Sequence, residues 1–165
     1  MKNEFTHVID LRQVKPQGCE YKLNASKKQL ESLAIRFKLP KIEYLRANLE
    51  MMPENKHDFT LMGEVEAKVT LTCGITLENF DKVIKGKFSE IFTTKKLNED
   101  NLDFDMDDDI VTEVKDGMVD IAEVVAEQLS LLIPDFPRKE GVSFEFKDEE
   151  IQESNPFSVL KNLKK

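Results

Sequence analysis

From residue 59 to residue 72 the chain alternates with a period of two. Phe59, Leu61, Gly63, Val65, Ala67, Val69 and Leu71 fall on one side, and Thr60, Glu64, Glu66, Lys68, Thr70 and Thr72 on the other, with Met62 the apolar exception. Successive side chains of a strand point to opposite faces, so an alternation this long predicts an antiparallel sheet with one buried and one wet face. Residues 83–92 alternate again, with Ile84, Gly86, Phe88, Glu90 and Phe92 set against Val83, Lys85, Lys87, Ser89 and Ile91. They are expected to form the partner strand, with Phe88 and Phe92 on the buried side. A partial alternation through Leu45, Ala47, Leu49 and Met51 predicts a strand over 42–51, and residues 5–11, 110–114 and 142–146 read as shorter ones.

Two helices are expected to cover this sheet. Ser26-Lys-Lys-Gln29 has the form of a capping box, and Leu30, Leu33, Ala34 and Phe37 then recur at helical spacing until Pro40. Asp120 is placed to cap a longer helix over 120–133, whose Ile121, Val124, Val125, Leu129, Leu132 and Ile133 share one face. Pro134 and Pro137 end it, because neither ring supplies an N–H. Asn155-Pro156 opens a short C-terminal helix with Phe157, Leu160 and Leu163 on one side. Turns are expected at 16–18, 53–56 and 116–117. The fold class is therefore α+β: a twisted, barrel-like antiparallel sheet with one long packed helix, an N-terminal helix and a short C-terminal helix.

At 165 residues with 40% apolar content, the chain suits a single domain over 1–165. Within it, 93–109 reads as a mobile acidic loop and 148–165 as a linker and C-terminal helix. It has no apolar run of 18 residues and no basic-then-apolar start, so no membrane partner is expected and the cytoplasm is the expected compartment. Cys19 and Cys73 lie far apart and read as reduced thiols. The net charge of −8 is uneven: residues 1–98 carry 17 Lys/Arg and 13 Asp/Glu, and residues 99–165 carry 7 and 19. Such a chain can present a local basic footprint despite its sign.

Most catalytic and metal chemistries fail on residue type. Asp103-x-Asp105-x-Asp107 copies the first ligands of a calcium loop, but Asp108 stands where the turn needs Gly and Val114 where the loop needs Glu. Zinc would need every Cys and His in the chain, and Cys73 has no local partner signature with His7 or His57. No phosphate-cradling Gly-rich loop and no nucleophile elbow is present. Neither an enzyme, a cofactor nor a small-molecule substrate is therefore expected. Lys27, Lys28, Arg36, Lys38, Lys41 and Arg46 cluster around the first helix, and Lys82, Lys85 and Lys87 line the second long strand. These nine are the candidate partner- or RNA-binding residues, with Lys85 and Lys87 projecting to one solvent-facing side.

Four segments together resemble the YceD family of large ribosomal RNA subunit accumulation proteins, in its alphaproteobacterial form. The first, residues 63–80, contains Gly63, Cys73, Thr76, Leu77, Glu78 and Phe80 in the order of the family's G-x-V-x-A-x-V-x-x-x-C-x-x-T-L-E-P-F. The second, residues 120–131, matches D-L-x-E-L-V-A-E-Q-L through Asp120, Glu127 and Gln128. The third, residues 134–141, resembles a P-Y-P-R-K-x-G turn through Pro137 and Arg138. The fourth, residues 155–164, resembles N-P-F-A-V-L-x-x-L-K through Pro156 and Phe157. Asn79 replaces the family's Pro, and Thr76 stands where other branches carry a second cysteine, so a metal role does not carry over. The resemblance implies a non-enzymatic factor for accumulation of 23S ribosomal RNA, with that RNA or its precursor, or a large-subunit ribosomal or assembly protein, as partner. A protein-only adaptor whose acidic half holds a basic ribosomal protein is the alternative, and a hydrolase of unknown type ranks last, because no acid–base or nucleophile constellation supports it.

Overall fold

The computed structural model describes residues 5–96 and 111–143. Its frame is a long hairpin. Strand β4 (Asp58–Thr72) pairs antiparallel with β5 (Asn79–Thr93) over its whole length, from Asp58 opposite Thr93 to Thr72 opposite Asn79. Strand β3 (Lys41–Pro53) lies on the other side of β4, and β2 (Cys19–Asn24) lies outside β3. A short β6 (Val111–Glu113) runs parallel to the end of β5, which gives the sheet order β2-β3-β4-β5-β6. Its outer strands β2 and β6 do not pair with each other, so the sheet is open and not closed as a barrel. A separate two-stranded ribbon joins β1 (Val8–Asp10) to β7 (Met118–Asp120).

The period-two pattern decides which face is dry. Leu61, Val65, Ala67 and Val69 are fully buried, whereas Met62, Glu64 and Thr72 are exposed. Helix α2 (Ile121–Leu132) covers the apolar face and buries Ile121, Ala122, Val124, Val125, Ala126 and Leu129. A Leu or Ile side chain taken wholly out of water stabilises the fold by about 1.5–3 kcal/mol, so this stripe is a main source of its stability. Small residues let the helix come close: a Cβ on Gly86 would lie 2.5 Å from Leu132 Cδ1. Gly63 likewise leaves room for the Phe88 ring, and a Cβ there would stand 2.7 Å from Leu49 Cδ2.

Helix α1 (Lys27–Arg36) starts with the reciprocal capping box expected of Ser26 and Gln29. It ends in a Schellman motif: the N–H of Leu39 reaches the Ala34 carbonyl, that of Lys38 reaches Ile35, and Lys38 takes φ 56. Asp120 caps α2 by accepting from the N–H groups of Ala122 and Glu123, as its position predicted. The reversal before β7 places Asp116 at φ 59 and Gly117 at φ 70.

Several expectations change. The strand expected over 5–11 is only Val8–Asp10, because Leu11 begins a 3-10 turn. Thr93, assigned to the acidic loop, ends β5 and is buried, and the next residue's N–H bonds to the His57 carbonyl. The sheet is not wholly antiparallel, since β6 is parallel to β5. Phe92 is buried as expected, whereas Phe88 is half-buried. The loop from 97 to 109 and the linker and helix of 148–165 lie outside the described residues, as does most of the strand expected over 142–146.

Candidate functional site

Strand parity sorts the nine candidate cations. Lys85 stands opposite Glu66 and Lys87 opposite Glu64, so both project from the wet face as expected. Lys82 stands opposite Val69, which is fully buried, so it lies on the other side of the sheet, although it is itself exposed. Arg46 joins the wet face, stacked over the Tyr44 ring at 4.7 Å. Arg36 leaves this surface altogether: its guanidinium holds the Glu123 carboxylate on α2 with two bonds, tying the two helices together. Lys27 and Lys28 sit at the start of α1, and Lys38 and Lys41 flank Pro40 beyond its end.

The wet face is a mosaic of both signs. Lys85 Nζ lies 2.8 Å from Glu66 Oε2, and Tyr44 donates its hydroxyl to Glu66 Oε1 at 2.8 Å. Lys85 first and Tyr44 second hold the Glu66 carboxyl below the usual carboxylate range. The same bond from Glu66 raises Tyr44 and Lys85 above their ordinary values. Lys68 pairs with Glu43 at 2.7 Å and lies 4.0 Å from Asp81. In register, β2 to β5 place Lys22, Lys41, Arg46, Lys68, Lys85 and Lys87 among Glu20, Glu50, Glu64, Glu66 and Asp81, and Glu43 reaches Lys68 from the bulge between Ile42 and Tyr44. Like charges are diluted across the face, so no continuous basic track follows β5.

The whole described body is balanced too. Residues 5–96 carry 16 Lys/Arg and 12 Asp/Glu, residues 111–143 carry 3 and 7, and the chain's net −8 therefore belongs to the remaining segments. Seven of those carboxylates lie between 97 and 110. Glu20 and Lys22 join this face on β2, a strand not among those expected from the sequence. The alternation of Cys19, Tyr21 and Leu23 against Glu20, Lys22 and Asn24 was the available signal.

The motif positions gather at structural joints. Residues 73–78 close the long hairpin: the Cys73 N–H bonds to the Glu78 carbonyl, and Leu77, at φ 58, returns its N–H to Cys73. The turn after α2 is stitched to this loop by Gly74 N–H to the Pro137 carbonyl at 2.9 Å and by Lys139 to Glu78 at 3.2 Å. Arg138 is exposed beside it, and Phe80 packs at the core margin. The Cys73 sulfur has no exposed surface and receives the N–H of Lys139, the Thr76 hydroxyl and the N–H groups of Thr76 and Ile75. These donors favour the thiolate and pull the thiol down to about 6. Gln128 donates to Glu90 at 2.7 Å, and burial first, then Glu123 and Glu90, raises the neighbouring Glu127. Pro156 and Phe157 lie outside the described residues.

Neither histidine serves Cys73. His7 meets Tyr21 edge-on at 5.9 Å, and His57 Nδ1 lies 3.2 Å from the Thr94 hydroxyl. Among the described residues no group of three or more His, Cys, Asp or Glu could hold a metal, and no helix is long and apolar enough to cross a membrane. The calcium-like run at 103–107 lies outside them.

Neither a curated protein nor a solved structure matches the chain. A family model described as large ribosomal RNA subunit accumulation protein YceD matches residues 61–164, from the early part of β4 through β5, β6, β7 and α2 and on beyond them. With more than half its length matched, and with the family's motif positions meeting at the hairpin loop and the α2 turn, the chain belongs to the YceD family, whose name links it to accumulation of large-subunit ribosomal RNA.

Proposed function

We propose that this protein supports large ribosomal subunit biogenesis by binding, without catalysing a reaction, and so sustains synthesis, processing or accumulation of 23S ribosomal RNA in the cytoplasm. Its partner is that RNA or its precursor, or a ribosomal or assembly protein of the large subunit. The observation that carries this reading is the family match, joined to the architecture it covers. The motif residues Gly63, Cys73, Asp120, Gln128 and Pro137 take part in close packing, capping or loop stitching, and no acid–base or nucleophile constellation emerges from them.

Two contact modes compete, and the charge distribution bears on both. The RNA mode rests on Lys27, Lys28, Lys38, Lys41, Arg46 and Lys87, none of them neutralised by an ion pair among the described residues. The protein-adaptor mode is favoured by a different fact: Lys85 and Arg36 are occupied by Glu66 and Glu123, while seven carboxylates concentrate in residues 97–110. Phosphate contacts release counterions, so RNA binding through six cations would weaken steeply with salt.

The test is affinity capture from the native cell with and without ribonuclease, followed by RNA depletion measurements on two variants. Under the RNA mode, Arg46→Glu with Lys87→Glu lowers mature 23S RNA in cells and weakens salt-sensitive RNA capture. Under the adaptor mode that variant behaves as wild type, a ribosomal protein stays bound after ribonuclease, and Asp105, Asp107, Asp108 and Asp109 exchanged for Asn lose it. A chain that captures neither class and whose loss leaves 23S RNA unchanged refutes the binding function itself.

A further inference from the structure

One apolar groove has no occupant among the described residues. Where β2 stops at Asn24, opposite Arg46, the first residues of β3 lose their outer neighbour, and α1 leans over the gap. Leu30, Ala34, Ile35, Leu39, Pro40 and Ile42 line the opening. Ile35 is 64% exposed on a helix whose Leu33 and Ala34 are buried, so the opening leaves an aliphatic side chain to water. Lys27 and Glu31 on α1 and Lys41 and Glu43 on β3 set both signs of charge on the rim, and Glu43 is paired with Lys68.

The route into this groove starts where the described chain ends. A second depression, lined by apolar Phe37, Leu71, Ile133 and Pro137 and by polar Lys38 and Asp135, adjoins the first at Leu39 and Pro40 and reaches the turn after α2. That turn is fastened to the hairpin loop through Pro137 and Gly74, and its last bond joins Val142 to Lys139. The chain therefore sets out beside the second depression, which meets the groove at Leu39 and Pro40. Residues 144–155 can span up to about 40 Å at roughly 3.3 Å per residue, more than the ~15 Å of a ten-residue helix such as α1. Beyond them Phe157, Leu160 and Leu163 recur at three-residue spacing behind an Asn-Pro helix start, with Lys161, Lys164 and Lys165 beside them.

We propose that residues 155–163 of the same chain dock their Phe157, Leu160 and Leu163 face into the α1–β3 groove. The segment then covers Ile35 and closes the gap that β2 leaves. Docking in cis is favoured over pairing of two copies, because the described chain ends beside the depression that adjoins the groove and the residues that follow are long enough to reach it.

The test places a p-benzoylphenylalanine photoprobe at position 35 of the full chain, and in a second variant at position 31 on the rim, where a bulky group does not fill the groove. Equal amounts of light and heavy isotope-labelled protein are mixed at low micromolar concentration, irradiated, digested and sequenced by mass spectrometry. The expected result is a cross-link from either probe to a peptide within 150–165, always of matching isotope label, that is lost in Phe157→Asp with Leu160→Asp. A probe at Val83, on the wet face, should give no such peptide. Mixed-label cross-links would overturn the proposal in favour of a second copy. Absence of tail peptides from both probes, or equal yield from position 83, would overturn it outright.

Discussion

Asp120 offers a quantitative test of how the molecule is joined. One carboxylate oxygen accepts from Ala122 N–H at 3.1 Å and Glu123 N–H at 3.3 Å, which caps α2, and from His7 N–H at 2.8 Å, which fastens the chain entering β1. The Ile121 N–H returns to the His7 carbonyl at 3.0 Å, so the ribbon and the helix share this junction. Asp120→Ala removes the cap, at about 1 kcal/mol. It also removes a charge-assisted bond that water replaces only in part, at about another 1 kcal/mol. The expected loss is roughly 2 kcal/mol, which for a domain of this size lowers Tm by about 4–8 °C. Asp120→Asn keeps an acceptor in place and gives up mainly the favourable charge at the helix N-terminus, about 0.5 kcal/mol. Urea titrations followed by far-UV circular dichroism, with thermal scans alongside, would measure both. If Asp120→Ala unfolds within about 0.5 kcal/mol of wild type, the junction is not what holds the ribbon to α2. If Asn is as damaging as Ala, charge and not acceptor geometry is responsible.

Three further outcomes are expected. Because the folded Cys73 thiol sits at about 6, below its unfolded value, its stabilising effect is present above the unfolded pKa and fades as pH falls through about 6. The stability gap between wild type and Cys73→Ser should therefore widen from pH 6 to pH 9, with no stoichiometric zinc in either by elemental analysis, and a gap flat with pH would refute the thiolate. Gly63→Val should cost about 1–3 kcal/mol through overlap with Phe88 and Leu49, and adding Phe88→Ala should recover part of it in a double-mutant cycle; purely additive losses would deny the contact. Deleting 98–109 should leave Tm little changed but strip hydrogen-exchange protection from Val111–Glu113, because a parallel pair needs a long connection; loss of cooperative unfolding would mean the segment belongs to the core.

The sequence by itself determined the elements whose signals are local. Alternation from 59 to 72 assigns each side chain of β4 to a face, because pleat geometry needs no knowledge of the neighbours. The capping residues Ser26 and Asp120 announced both helix starts, since a cap acts within one turn. The tertiary structure decided whatever depends on register between distant segments. Nothing near Lys85 in the chain foretells Glu66 opposite it, and nothing near Arg36 foretells Glu123 on another helix. Only pairing also separates Lys82 from Lys85 and Lys87, turning an expected basic strand into a charge-balanced face. The open sheet and parallel β6 were equally out of reach, because closure and strand direction depend on where the chain returns after a long connection. Side-chain charge is a property of residues, but an electrostatic surface is a property of their arrangement, and that arrangement is set by contacts far apart in sequence.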